Sequence, residues 1–235
     1  MSFYDHFLST KPTTLGRGFS EKAALLMRAE ILRHVPSVET LLEIGPGRGD
    51  FCLPWKNGGG DVTVLEPNPT LGAALKKEGI QVIESLAPPI LCDDDQFDVV
   101  LASHVIEHMS SVEMATELVE EMMRVCKPGG CVCIAAPDIR AFKADFWNVD
   151  YTHNYVTSPR RIEQLFLDVG LYTEKPLFYS GYLTGITATL LSFLARLIPS
   201  GGMAGSMTQT GLWQKVYKLK VTFLGNFFLI GRKPI

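Results

Sequence analysis

The stretch LLEIGPGRGDF, residues 41–51, decides the fold. Thr40 to Ile44 is a short, mostly apolar run of the kind that forms a parallel strand buried on both faces. Gly45, Gly47 and Gly49 follow at alternate positions, and Asp50 closes the turn. Glycines placed directly after a buried strand let the backbone turn sharply and come close to a ligand.

The strands on either side extend the pattern. Asp61 to Leu65 is β-branched and ends at Glu66, and Asn68-Pro69 then supplies an N-cap and first-turn proline for a helix that Gly79 ends. Gln81 to Ile83 and Phe97 to Ala102 read as the third and fourth strands. Val112 to Val125 reads as an amphipathic helix with Ala115, Leu118, Val119 and Met122 on one face, stopped by Lys127-Pro128-Gly129-Gly130. Cys131 to Ala136 is the fifth strand. Ser158-Pro159 opens a helix that Gly170 closes, and Val221 to Ile230 is the last strand, with Gly225 as a bulge. A further helix is expected over Glu21 to His34. Strands separated by helices imply an α/β, Rossmann-like, mostly parallel sheet with helices on both faces, in a single domain over residues 1–235. Residues 137–157 form a long aromatic and polar segment on the expected substrate side.

The glycine turn also constrains the cofactor. A dinucleotide turn favours G-x-G-x-x-G/A, but the spacing here is G-x-G-x-G and the third dinucleotide position is Asp50. A carboxylate there competes with a diphosphate for the helix N-terminus and suits a ligand carrying sulfonium and ammonium groups. Glu66 ends the second strand about twenty residues on, the spacing of a ribose-binding acid.

The four segments LLEIGPGRGDF, VLEPNP, FDVVLASHVIEHM and RVCKPGGCVCIAAP, in this order, resemble the successive motifs of class I S-adenosylmethionine-dependent methyltransferases over roughly residues 40–171. The resemblance implies a seven-stranded sheet whose antiparallel last strand is inserted beside the sixth. It implies S-adenosylmethionine as cofactor and S-adenosylhomocysteine as product. It places Glu43 and Gly45 by the methionine end, Gly47 and Gly49 by the adenosine, and Glu66 on the ribose. Glu84, with Ser85 and Leu86 beside it, falls at the adenine edge, where the family more often has an Asp. Ser103 and His104 fall by the methionine moiety and the methyl group. An NAD-dependent oxidoreductase is the alternative enzyme, opposed by Asp50; a non-catalytic protein of the same fold is the third reading, opposed by the intact glycine turn and Glu66.

Methyl transfer to oxygen calls for a base near the methyl group. His153 is the leading candidate, positioned by Asp150 within WNVDYTHNY; His104 and His108 are the others. The i,i+4 pair His104/His108 has metal-ligand spacing, but Glu107 lies between them and no third ligand is evident, so no metal is expected. After the fourth strand the chain reads Ala102-Ser103-His104-Val105, without the Pro-Pro run of nucleobase amino-methyltransferases. The acidic body likewise lacks a basic footprint for nucleic acid. The five cysteines contain no C-x-x-C pair and read as reduced thiols in a cytoplasmic protein without a secretory leader.

Charge is asymmetric: no Asp or Glu follows Glu174, while six Lys and Arg fall between Pro176 and Ile235. Residues 176–220 form an apolar and basic insertion. Within it, Leu183 to Ile198 reads as a lid helix or as an interfacial helix backed by Lys215, Lys218 and Lys220, facing an anionic membrane from its inner side. Methyltransferases with such a D-x-T-H loop and hydrophobic C-terminal part accompany bacterial glycan or lipid biosynthesis, so the resemblance favours a small-molecule or saccharide hydroxyl, including a lipid-linked glycan, as acceptor. The oligomeric state is left open.

Overall fold

The computed structural model describes residues 14–200 and 211–235. Strand β1 (Thr40–Ile44) lies in the middle, with β2 (Asp61–Leu65) and then β3 (Gln81–Ile83) on one side and β4 (Phe97–Ser103) and then β5 (Cys126–Pro137) on the other. All five run parallel. Chain order reverses between β1 and β4, so a crevice opens beyond their carboxyl ends, the usual ligand position in an open α/β sheet.

Strand β9 (Asn226–Arg232) runs antiparallel between β5 and β7 (Leu177–Ser180). This is the inserted last strand that the resemblance implies. Two short pairings, β6 (Tyr172–Thr173) on β9 and β8 (Leu183–Thr184) on β7, bring the sheet to nine strands instead of seven.

Successive side chains of each strand point to opposite faces and build two cores. Leu41, Val64, Val99, Cys131, Cys133 and Phe228 face helices α1 (Thr14–His34), α2 (Cys52–Asn57) and α3 (Pro69–Lys77). Leu42, Val100, Val132, Ile134, Phe227 and Leu229 face α4 (Val112–Val125) and α7 (Pro159–Asp168). Helix α4 buries Ala115, Leu118, Val119, Met122 and Val125, and Ser111 Oγ caps it by accepting from Met114 N. Helix α3 starts as its sequence demands: Asn68 Oδ1 accepts from Thr70 N and Leu71 N, and Pro69 occupies the first turn. All five cysteines are free.

Three local expectations change. Helix α1 begins at Thr14, ahead of Glu21, and β5 begins at Cys126, ahead of Cys131. The last strand starts at Asn226, because Val221 to Phe223 belong to helix α9 (Leu212–Phe223) and Gly225 sits in the connecting turn. Tertiary packing overrides strand propensity there: Val221, Phe223 and Leu224 close a third apolar cluster with Ala141, Phe142 and Phe146.

That cluster organises residues 137–157. They form two short helices, α5 (Ile139–Phe142) and α6 (Asp145–Val149), capped at the start by Asp138, whose carboxylate accepts from Arg140 N. Helix α8 (Gly185–Leu197) covers them through Ala195, and the buried pair Lys220 Nζ–Asp145 Oδ2 (2.6 Å) ties α9 to α6. The stretch expected as a lid or interfacial helix is thus mostly α8. It leaves Ile186, Leu190, Phe193, Leu194 and Leu197 exposed. Lys215 and Lys218 are exposed as well, but Lys220 is buried against Asp145 and is not part of any basic face.

Candidate active site

The crevice is built from the ends of β1, β2 and β4. At the end of β1, Gly45 takes φ +64°, and a Cβ there would come within 2.8 Å of Val105 Cγ2. A side chain is excluded both by backbone conformation and by the close approach of the β4 connection. At Gly47 (φ +56°) an added Cβ would meet nothing within 4 Å, so this part of the turn borders open space.

Two acidic side chains flank the turn, and both are buried: Glu43 is 3% exposed and Glu66 5% exposed. Burial pushes the Glu43 carboxyl up to about 8, against hydrogen bonds from the Cys52 thiol and backbone N–H that favour its charged form; nearby Asp50 and Glu66 add to the rise. Its Oε2 is buried without a partner. Glu66 Oε1 accepts from Asn68 N at 2.9 Å, and burial raises this carboxyl too, against backbone donors from Asn68 and Gly47. A buried carboxyl oxygen with no donor, beside a glycine turn that opens to free space, fits a ligand bearing an ammonium and a ribose. The residues present are therefore able to hold S-adenosylmethionine.

Glu84, Ser85 and Leu86 follow β3 at the far side of β2. Glu84 is exposed and paired with Lys76 (2.6 Å), Ser85 Oγ donates to the Leu86 carbonyl, and Leu86 is 71% exposed.

Beyond β4 the chain turns through His104 and the 3-10 turn Ile106–His108. His104 N donates to the Ala135 carbonyl, and His104 itself holds φ +56°, an uncommon conformation for a residue with a Cβ. Its half-exposed ring places Nδ1 3.1 Å from Glu107 Oε1, whose side chain is fully buried. Burial alone would raise the Glu107 carboxyl, but the hydrogen bond from His104 and the nearby His104 and His108 rings outweigh it and hold it below the usual range. Its second oxygen, Oε2, has no partner.

Residues 150–155 fold over this turn. Asn154 N and Tyr155 N both donate to the Glu107 carbonyl, at 2.9 and 3.0 Å. Asp150 Oδ1 accepts from Thr152 N and Thr152 Oγ1, and Thr152 Oγ1 contacts His108 Nδ1 at 2.7 Å. The Asp150 carboxylate therefore orients His108 through Thr152. Its expected partner His153 meets only the Asp150 backbone, through N–H to carbonyl. His153 is 7% exposed, with Nδ1 2.6 Å from the Phe146 carbonyl and its ring edge-on to His108 at 4.9 Å. Burial lowers the His108 imidazole, more than Glu107 raises it.

The structure thus gathers His104, His108, His153 and Asp150 at the end of β4 and adds Glu107, which the sequence reading passes over as a spacer. Its signal was present: a carboxylate three residues after His104, in a segment too short for a helix.

Comparison with known proteins fits this arrangement. Residues 19–175 match the family described as a methyltransferase domain. Uncharacterized methyltransferases of Mycobacterium bovis and Mycobacterium leprae are 32% identical over 104 residues, or 43% of this chain. The match spans 40% of the length of the first and 38% of the second. Among solved structures, a SAM-dependent methyltransferase from Archaeoglobus fulgidus superposes with a TM-score of 0.62 at 21% identity, over 92% of this chain and 98% of that one. A Haemonchus contortus phosphoethanolamine N-methyltransferase, bound to S-adenosylhomocysteine, gives 0.62 at 17% identity over 89% of this chain and 52% of its own. The chain belongs to the methyltransferase-domain family, and its fold is that of the SAM-dependent methyltransferases on which it superposes.

Proposed function

We propose that the enzyme methylates a hydroxyl of a small molecule or saccharide, with His104 as the base. The observation that carries this reading is the His104–Glu107 contact at the end of β4. With the Glu107 carboxylate accepting, His104 donates from Nδ1–H, and the neutral ring presents Nε2 as its basic nitrogen on a half-exposed side chain. S-adenosylmethionine, when bound, supplies an electrophilic methyl group. As the acceptor oxygen takes the methyl group and the sulfur–methyl bond breaks to leave S-adenosylhomocysteine, His104 Nε2 would take the hydroxyl proton. The buried Glu107 carboxylate steadies the resulting imidazolium, as an orienting acid does in a catalytic triad. His153 is less suited to this role: Phe146 and His108 enclose it, and it is nearly buried.

The test is His104→Gln. Turnover, read as S-adenosylhomocysteine release across a panel of glycan, lipid and phenolic acceptors, should fall by about 10²–10⁴-fold. Affinity for S-adenosylhomocysteine by calorimetry should stay within about twofold, because His104 makes no hydrogen bond to the β1 turn. Unchanged turnover with every accepted hydroxyl removes His104 as the base.

The acceptor reading extends to a membrane surface. Ile186, Leu190, Phe193 and Leu197 form an exposed apolar ridge on α8, with Lys215 and Lys218 exposed on the packed neighbour α9. Such a ridge suits shallow insertion among anionic headgroups, where a lipid-linked saccharide would be met. No helix among the described residues is long and apolar enough to cross a membrane.

A further inference from the structure

We propose that Glu107, His108 and His153 form a binding site for one divalent first-row transition cation. One ligand atom from each residue lies within 4.8 Å of the other two. Ligand atoms about 2.0–2.2 Å from a common ion sit roughly 3–4 Å from one another, so small side-chain rotations close the set.

The protonation pattern is already that of a metal site. His153 Nδ1 lies against the Phe146 carbonyl, which can only accept, so Nδ1 carries the hydrogen and the neutral ring presents its lone pair at Nε2. His108 follows by the same logic. Thr152 Oγ1 spends its hydrogen on Asp150 Oδ1 and must accept from His108 Nδ1, so the neutral ring again presents its lone pair at Nε2. Both imidazoles are therefore held in the tautomer a metal takes, one by a backbone carbonyl and the other by a hydroxyl backed by a carboxylate. These are the outer partners that orient ligating histidines.

Glu107 supplies the independent indication. Its side chain is fully buried, Oε1 is engaged by His104, and Oε2 has no hydrogen-bond partner at all. A buried carboxyl oxygen left without a partner is costly, and a bound cation removes that cost. The framework is also fastened, since Asn154 N and Tyr155 N clamp the segment bearing His153 onto the Glu107 carbonyl.

Two imidazole nitrogens and one carboxylate oxygen suit Zn²⁺, Fe²⁺, Mn²⁺ or Co²⁺, whereas Mg²⁺ and Ca²⁺ prefer oxygen throughout. Three protein ligands leave a coordination position open, as in catalytic rather than structural sites. The use of that position to acidify an acceptor hydroxyl rests on the oxygen-acceptor reading above; binding of the ion does not.

The experiment uses the full chain stripped with a chelator and titrated with Co²⁺ under reducing conditions, following its ligand-field absorption. One equivalent should bind with the spectrum of a nitrogen and oxygen ligand set, without a thiolate charge-transfer band. His153→Gln and Glu107→Gln should each weaken binding by at least about 100-fold, and Thr152→Val, which removes no ligand but releases His108 Nδ1, by about 10–100-fold. Binding of S-adenosylhomocysteine reports whether each variant is folded. Thr152→Val carries the test if the ligand variants are not. Absence of a stoichiometric Co²⁺ spectrum in the unsubstituted chain overturns the site, and so does binding unmoved by the folded variants. His104→Gln separates the two proposals, because it should lose turnover yet still bind one equivalent of Co²⁺.

Discussion

Replacing Glu43 with Gln should make the cofactor-free protein more resistant to unfolding, and increasingly so as pH rises. The Glu43 carboxyl is pushed from 4.5 to about 8 by burial at the end of β1. The folded state therefore keeps a proton that the unfolded chain releases above pH 4.5. For a carboxyl raised in this way, its contribution to stability is fully present below the unfolded value and is lost as pH climbs towards the folded one. The loss is about 1.4 kcal/mol per pH unit, so about 3 kcal/mol by pH 7 and about 5 kcal/mol by pH 8. Gln copies the shape of the protonated acid, can still accept from the Cys52 N–H, and does not titrate. Urea unfolding of both proteins between pH 5 and 8.5 should give stabilities that diverge with this slope up to pH 8 and then run parallel. Affinity for S-adenosylhomocysteine should fall in the same variant, since a neutral amide forms no ion pair with the ammonium group. A stability difference that stays within about 0.5 kcal/mol across that range would refute the account of a carboxyl held protonated by desolvation.

The Lys220–Asp145 pair is almost wholly buried, with side-chain exposures of 4% and 7%. Lys220→Met should cost about 3–5 kcal/mol in urea unfolding by stranding the Asp145 charge, and adding Asp145→Asn should recover most of it; a loss below about 1 kcal/mol would mean that the pair does not hold α9 against α6. Leu190→Gln combined with Phe193→Gln should abolish sedimentation with anionic vesicles at low salt while leaving turnover on a water-soluble acceptor in place. Equal sedimentation of this variant and the unsubstituted chain would count against the α8 ridge as a membrane face.

What could be read directly from the sequence is what local chemistry decides. The cap of α3 follows from Asn68 and Pro69, the extent of α4 follows from its apolar stripe and the Lys127-Pro128-Gly129-Gly130 run beyond it, and the Gly45 turn follows from the strand that precedes it. Helix α9 was not legible. The segment VTFLGNFFLI is rich in β-branched and aromatic residues, and the packing of Val221 and Phe223 on the 137–157 segment assigns its first part to a helix. The same distance in sequence hid the fate of Lys220, which looks solvated until Asp145 is brought to it from 75 positions away.

The histidine cluster shows a subtler limit. Asp150 and His153 are neighbours in sequence, and adjacency suggests a pair. An aspartate in a turn, however, tends to fold its carboxylate back onto the residue two positions on. Asp150 does so, accepting from both N and Oγ1 of Thr152, and its influence passes to His108 instead. Glu107 was overlooked for the opposite reason: placed between two histidines at i,i+4 spacing, it reads as a spacer between them. The chain makes a single 3-10 turn there, with His104 in a left-handed conformation, and this brings the His104 ring onto Glu107 Oε1 while Oε2 stays buried and bare. One carboxylate thus serves two neighbours, a base facing the crevice and a pair of imidazoles behind it. Glu107→Gln should therefore impair both turnover and Co²⁺ binding, whereas His104→Gln and His153→Gln separate the turnover defect from the loss of metal.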